Sequence, residues 1–400
     1  MNTNTHLHTS SVKSTMRGNQ PSKQKQQVHE GLVSVVVAES DIAKIDGEKG
    51  ALFYRGYHIG DLARYSTFEE VVYLLWYGEL PTRKALEHFT DELASQRDID
   101  DTTWQVLTML PRDVETMDAL RAAVSTLACT DADNGNGEVS REANLKKAVK
   151  LVAKFPTIVA NYYRHLQGEE RVHPDPSLSH AANFLYMLHG TPPTETETNA
   201  IDLCMLLMAE HGFNASTFAA RVTASTLSDM YAAITSAIGT LKGPLHGGAN
   251  RKAMEMILEI CEIDQVDAYI ERALAAKRRI MGFGHRVYKH VPDPRQAYLS
   301  SQLLELSEES QDYHFYNLAT KIAATLEAKK GLYPNVDFYT APVLYMIGIP
   351  LELFVTIFAI SRVSGWTTHV MDQFENNRLL RPLSAYVGPD TRPYTPFAQR

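Results

Sequence analysis

From Ser66 onward, apolar residues return every three or four positions, the spacing that turns one face of an α-helix towards a core. This spacing predicts helices over residues 68–77, 82–95, 116–128, 142–165, 178–188, 194–209, 213–226, 229–241, 251–261, 265–276, 296–308, 313–329 and 335–347, with a final pair at 352–363 and 365–376. Pro81, Pro111, Pro156, Pro174, Pro176 and the Pro192-Pro193 pair separate or kink these elements, because proline has no amide proton and crowds the preceding turn. Ser66-Thr67 caps the helix that carries Glu69 and Glu70. The strand signal is confined to residues 32–59, where β-like runs at 33–38 and 51–54 flank the turn-rich Asp46-Gly-Glu-Lys-Gly50. The expected fold class is therefore all-α, with a small hairpin layer near the N-terminus.

A chain of 400 residues, 44% of them hydrophobic, can bury a large core in two or three domains. Its net charge of −8, from 39 basic and 47 acidic side chains, gives no basis for a nucleic-acid partner. Any anion-binding site must gather its arginines locally. Three widely spaced cysteines, Cys129, Cys204 and Cys261, lie in apolar helical contexts and read as reduced core thiols, which implies a reducing compartment. No apolar run approaches the roughly 18 to 20 residues needed to span a bilayer, and no secretory h-region is present, so the expected location is cytoplasmic, without a membrane partner. Residues 1–30 carry Lys13, Arg17, Lys23 and Lys25 and no acidic residue before Glu30, a composition shared by disordered tails and transit peptides. Too few apolar residues for an amphipathic helix favour the tail. The Asp/Asn/Gly loop at 130–138 resembles a calcium loop but lacks the closing acidic residue, which favours a solvated turn.

Four stretches combine ionisable groups with loop or cap positions. In Gly243-Pro-Leu-His-Gly-Gly-Ala-Asn250, His246 sits between a Gly-Pro turn and two glycines, just before a helix whose positive end disfavours imidazolium. In Gly282-Phe-Gly-His-Arg-Val-Tyr-Lys289, His285 occupies a flexible loop beside Arg286 and Lys289, cations that oppose its protonation. In Tyr333-Pro-Asn-Val-Asp-Phe-Tyr339, Asn335 can cap a helix whose first turn holds Asp337, a position that stabilises the carboxylate. Finally, Arg295, Arg362 and Arg381 supply guanidinium forks suited to planar carboxylates, with Phe358 four residues before Arg362 on one helix face. One carboxylate and two neutral imidazoles suffice to take a proton from a weakly acidic carbon and steady the enolate. Such a set points to condensation between an enolisable substrate and a polycarboxylate. Singly, each residue also has an ordinary reading: a capping Asp337, a loop His285, surface arginines.

These stretches, together with His211-Gly-Phe-Asn-Ala-Ser-Thr217 and Asp-Pro-Arg295, resemble the citrate synthase family, including 2-methylcitrate synthase, in order and spacing from about Leu32 to the C-terminus. The resemblance implies a two-domain helical dimer, with a large domain at 31–247 and 351–400 and a small mobile domain at 248–350. It implies that Asp337 takes a proton from acetyl-CoA, that His246 hydrogen-bonds the thioester oxygen, and that His285 protonates the carbonyl oxygen of oxaloacetate. His211, Arg295 and Arg362 match the oxaloacetate-binding positions, and Arg381 matches an arginine supplied across the dimer interface. Phe338, Tyr339 and Phe358 would line the acyl end. Met281, Gly282, Phe283 and Gly284 correspond to backbone that receives the CoA adenine, and Arg286, Lys289 and Lys330 are candidate phosphate contacts. No cofactor or metal is required, the CoA thioester being a substrate. The chain lacks the longer N-terminal extension of the allosteric hexameric members, so the expectation is a homodimer without NADH inhibition.

Three alternatives follow. A 2-methylcitrate synthase would use propionyl-CoA, a difference of one methylene worth only about 1 to 3 kcal/mol in an apolar pocket. A metal-dependent hydrolase would use His211, His246, His285 and Asp337 as ligands, residue types acceptable for zinc but without a paired spacing. A non-catalytic CoA-binding homologue would have no need of Asp337.

Overall fold

A computed structural model describes residues 28–32, 35–134 and 140–400. The expected N-terminal tail lies outside these residues as far as position 27, as do residues 135–139 of the acidic loop. The chain forms two compact units, one of them Ser40–Leu380. The other comprises the described residues before position 40 together with Arg381–Arg400, and is irregular apart from single 3-10 turns at Glu30–Leu32 and Phe397–Gln399.

Unit 40–380 begins with three antiparallel strands, β1 (Ala43–Asp46), β2 (Ala51–Tyr54) and β3 (Tyr57–His58), in sequential order. Ala43 pairs with Tyr54 and Asp46 with Ala51, and Asp46 Oδ1 closes the turn by accepting the Lys49 N–H at 2.9 Å. Of the strand expected at 33–38, the described residues 35–38 are irregular, Val36 is exposed, and residues 33–34 lie outside the described residues. The strand lies instead at 43–46, where burial of β2 against the helices decides the pairing and intrinsic preference does not.

Sixteen helices follow among the described residues. The first seven are α1 (Ile59–Tyr65), α2 (Phe68–Tyr77), α3 (Arg83–Ser95), α4 (Asp101–Met109), α5 (Thr116–Thr130), α6 (Arg141–Gln167) and α7 (His180–His189). Next come α8 (Glu195–Met208), α9 (Ala215–Ser225), α10 (Met230–Leu241), α11 (Ala249–Ile260), α12 (Val266–Ala275), α13 (Gln296–Ser310), α14 (His314–Lys330) and α15 (Val336–Met346). The last is α16 (Phe354–Glu375). Thr67 and Glu70 form the reciprocal capping box expected for α2. Helices α1 and α4 are too short to show a spacing, and only their caps at His58 and Asp100 announce them. Pro156 sits inside α6, buried, without ending it.

The core of this unit gathers around α16, which packs on α2, α6, α8, α9 and α10. The expected break between 363 and 365 does not occur. A Cβ at Gly365 would collide with Ala209 O and Glu210 Oε2, so the glycine serves close approach between α16 and the end of α8 rather than termination. Trp76 of α2 is fully buried and donates to Thr367 Oγ1 of α16 at 3.1 Å. Of the three cysteines only Cys204 is buried; Cys129 and Cys261 are exposed, which corrects their reading as core thiols, since both lie at helix ends. In the acidic loop, Asp131 and Asp133 are paired with Lys150 at 2.6 and 2.7 Å, so a lysine supplies the cation there.

Candidate active site

The C-terminal end of α8 is where the site begins. A helix leaves its last carbonyls unpaired and carries partial negative charge there, and two buried arginines use them. Arg362 of α16 donates from Nε to Met208 O at 2.7 Å, and Arg295 donates from Nη1 to Leu207 O at 3.4 Å. The same turn is pinned from β2, where the buried Tyr54 hydroxyl donates to Glu210 O at 2.8 Å. Asp293 grips Arg295 with both oxygens, at 2.9 Å from Nε and 2.7 Å from Nη2. Arg362 stacks over the Phe358 ring at 4.9 Å from its centroid, and no described residue hydrogen-bonds its terminal nitrogens. Burial lowers its pKa to about 10, so it stays charged at neutral pH with a fork to offer an anion.

Three histidines feel the charges of this pair, and hydrogen bonds decide the tautomers of two of them. His246 lies in the turn between α10 and α11, where Gly247 is required because a Cβ would sit 2.5 Å from Leu241 O. Its Nε2 accepts the Ser216 backbone N–H at 3.2 Å, which fixes the proton of a neutral ring on Nδ1. Ser216 Oγ stands 2.8 Å from the same nitrogen and itself receives the Trp366 indole N–H at 3.1 Å. Asn214, the cap of α9, lies 2.8 Å from that hydroxyl. His285 has the opposite arrangement: its Nδ1 accepts the Val287 N–H at 3.0 Å and the Tyr288 N–H at 3.3 Å, so Nε2 carries the proton. Burial, aided by the charges of Arg362 and Arg286 on the first ring and Arg295 on the second, pulls both histidines down to about 4. His211 is held well below its usual value by burial and Arg295. Its ring lies 5.2 Å from that of His285, and the Tyr288 hydroxyl is 3.4 Å from its Nε2.

Asp337 enters on the first turn of α15, whose N-cap Asn335 accepts the Asp337 N–H at 3.0 Å. Backbone bonds tie this turn to the His285 loop: Asn335 N–H donates to Gly282 O at 2.9 Å and Gly284 N–H to Tyr333 O at 3.0 Å. The Phe283 and Phe338 rings pack at a 57° tilt with centroids 4.5 Å apart, and Gly282, with φ +79°, leaves room for Phe338 where a Cβ would lie 2.9 Å away. Asp293 Oδ2 accepts the Val336 N–H at 3.3 Å, which links this turn to Arg295 as well. The helix terminus does not govern the carboxyl group as the sequence reading expects. Burial raises Asp337 to about 6, with Asp293 adding to the rise while Arg295 and Arg362 oppose it. It is an anion above that pH, and a stronger base than an ordinary aspartate.

His246, His285 and Asp337 share these charged neighbours: Arg362 acts on His246 and Asp337, and Arg295 acts on His285 and Asp337. Met281, Gly282, Phe283 and Gly284 form the loop clamped to α15, with Phe283 buried. Arg286, Lys289 and Lys330 are exposed, and none of them forms an ion pair among the described residues. Arg381 belongs to the unit of residues 28–39 and 381–400, where its side chain is exposed. The sequence reading misses Asp293, Ser216 and Tyr288 as site residues. The Asp-x-Arg spacing at 293–295 is a usable signal for the first, and Asn214-Ala-Ser216 at a helix cap for the second.

The arrangement is suited to acid–base chemistry: one carboxylate of raised basicity, two imidazoles kept neutral with opposite tautomers, and buried guanidinium groups able to meet an anion. Among the described residues no three or more His, Cys, Asp or Glu side chains are grouped to hold a metal ion. The family model "Citrate synthase, C-terminal domain" matches residues 31–383. Citrate synthase of Haloferax volcanii is 47% identical over 373 residues, covering 92% of this chain and 98% of its own. The 2-methylcitrate synthase 1 of Corynebacterium glutamicum is 41% identical over 381 residues, 94% of this chain and 99% of its own. The crystal structure of citrate synthase from Pyrobaculum aerophilum superposes with a TM-score of 0.89 at 40% identity, covering 98% of this chain and 100% of that one. The ternary complex of carboxymethyl coenzyme A and oxaloacetate with Thermoplasma acidophilum citrate synthase gives 0.86 at 34% identity, over 94% and 100%. The chain belongs to the citrate synthase family.

Proposed function

We propose that this protein condenses acetyl-CoA with oxaloacetate and hydrolyses the citryl thioester to citrate and CoA. The observation that carries the reading is the opposite tautomers of His246 and His285, fixed by the Ser216 and Val287 N–H groups, beside the two buried arginines that also act on Asp337. Asp337 removes a proton from the methyl carbon of acetyl-CoA while His246 Nδ1–H hydrogen-bonds the thioester oxygen, where negative charge develops. The enol carbon attacks the carbonyl carbon of oxaloacetate, and its oxygen takes the His285 Nε2 proton as the C–C bond closes. Water then cleaves the thioester. His211, Arg295 and Arg362 hold the carboxylates of oxaloacetate, with Arg381 contributed by the second subunit of a homodimer. Residues 281–284 receive the CoA adenine, with Arg286, Lys289 and Lys330 at its phosphates. The chemistry needs no cofactor.

The small domain at 248–350 closes on the large domain of 31–247 and 351–400 once oxaloacetate is bound, excluding water before the enolate forms. Binding is therefore ordered, and the Kd of a CoA thioester falls when oxaloacetate is added. No helix among the described residues is long and apolar enough to cross a membrane, and we place the enzyme in the cytoplasm. A second reading, 2-methylcitrate synthase, is favoured by the Corynebacterium relative at 41% identity. The comparison of kcat/KM for acetyl-CoA and propionyl-CoA with oxaloacetate decides: a higher value for propionyl-CoA selects the second reading, and no turnover of either refutes both.

A further inference from the structure

Glu210 is fully buried, yet the chemistry above gives it no part. Its Oε1 is committed twice, to the His369 Nε2–H at 3.0 Å and to the Gly212 N–H. His369 is itself locked: its Nδ1 lies 3.3 Å from Arg221 Nη1, which can only donate, so Nε2 carries the ring proton. Arg221 is held in turn by Asp372 at 2.6 Å and by the Phe213 ring, 4.7 Å from centroid to Cζ. The other oxygen, Oε2, is closed off from solvent without a hydrogen-bond partner. It fills the space left by the missing side chain of Gly365, where a Cβ would meet Oε2 on one side and Arg362 Cδ at 3.4 Å on the other. The free oxygen and the stem of Arg362 therefore line the same gap. Arg295 has Asp293 for its own counter-charge, whereas no described carboxylate forms an ion pair with Arg362.

We infer that Glu210 is a positioning residue for the anion site: a fixed counter-charge, presented through the Gly365 gap, that sets the aim of the Arg362 fork. The inference rests on the proposed reading of Arg362 as a ligand of the oxaloacetate carboxylate. It explains why a buried carboxylate keeps one oxygen unbonded, since a third hydrogen bond there would divert it from Arg362. Glu210→Gln preserves shape and reverses the sense of that oxygen. The Gln carbonyl stays with its two donors, and the amide NH2 takes the place of Oε2, turning partial positive charge towards the guanidinium.

The test is a double-mutant cycle of Glu210→Gln with Arg362→Lys, read as KM and kcat for oxaloacetate and as the pH profile. Glu210→Gln is expected to raise KM for oxaloacetate about tenfold, because a buried negative charge facing the guanidinium becomes a partial positive one. It leaves kcat within about threefold and the acid limb in place, because it acts through an arginine and not on a group that moves protons. In the Arg362→Lys background its effect on KM shrinks below about twofold, because the charge remains but no fork is left to aim. Additive effects, or a fall in kcat at unchanged KM, overturn the inference and leave Glu210 a merely structural residue. A wild-type protein that does not condense the two substrates refutes the functional reading instead, and the cycle is then read as oxaloacetate Kd by calorimetry. If Glu210→Gln does not fold, Glu210→Asp, which withdraws the charge by one methylene, carries the same cycle with the same two outcomes.

Discussion

Replacing Asp337 by asparagine should make the protein more stable while disabling it. The carboxyl group titrates at about 6 in the folded chain against 3.8 for the ordinary group, because burial penalises its charge. A rise of about two pKa units corresponds to up to about 3 kcal/mol against folding at pH 8, at roughly 1.4 kcal/mol per unit. The folded chain holds this proton more tightly than the unfolded one. The penalty is therefore absent below the unfolded pKa, grows between about pH 4 and 6, and is complete above. Asparagine keeps the shape and cannot ionise. Chemical denaturation should show Asp337→Asn more stable than wild type by up to about 3 kcal/mol at pH 8 and by about half that at pH 5. The same variant should lose a factor on the order of 10² to 10⁴ in kcat, the usual worth of a general base. Equal stability at pH 8, or a gain that does not shrink towards pH 5, would refute the idea that burial sets the energetics of this carboxylate.

Wild-type kcat/KM should fall about tenfold per pH unit below about 6, following Asp337 alone, since His246 and His285 at about 4 stay neutral across that range; an acid limb near 4 would argue for another base. Ser216→Ala removes the hydroxyl 2.8 Å from His246 but leaves the backbone donor, so kcat should drop by about fivefold with oxaloacetate Kd unchanged. Gly282→Ala forces an L residue to φ +79° against Phe338 and should lower Tm and kcat together, as the first turn of α15 shifts. Incubation with a chelator should leave turnover unchanged; activity lost and then restored by zinc would revive the hydrolase alternative.

Most helices were legible because their apolar spacing agrees with their burial, and the cap residues Thr67 and Asn335 mark where two of them start. The first strand was not: residues 33–38 are the more apolar run, but β1 contains Lys44 and Asp46 and forms because its partner β2 is anchored by buried Leu52 and Tyr54. Gly365 reads as a helix end in isolation, and only the position of Ala209 O reveals its purpose. In the site, His246, His285 and Asp337 could be singled out by the Gly, Pro and Asn residues around them. The carbonyls of Leu207 and Met208 that seat the arginines could not, since every residue has one. The basicity of Asp337 was misjudged for a related reason: a helix terminus is local and visible, whereas burial comes from residues distant along the chain.

The backbone bonds between residues 282–284 and 333–335 tie the segments carrying Asp337 and His285 into one block. Any hinge that swings this block moves both together, so their mutual spacing survives opening while their spacing to His246 does not. Under the closure proposed above, the open enzyme would be idle without ever dismantling half of its machinery.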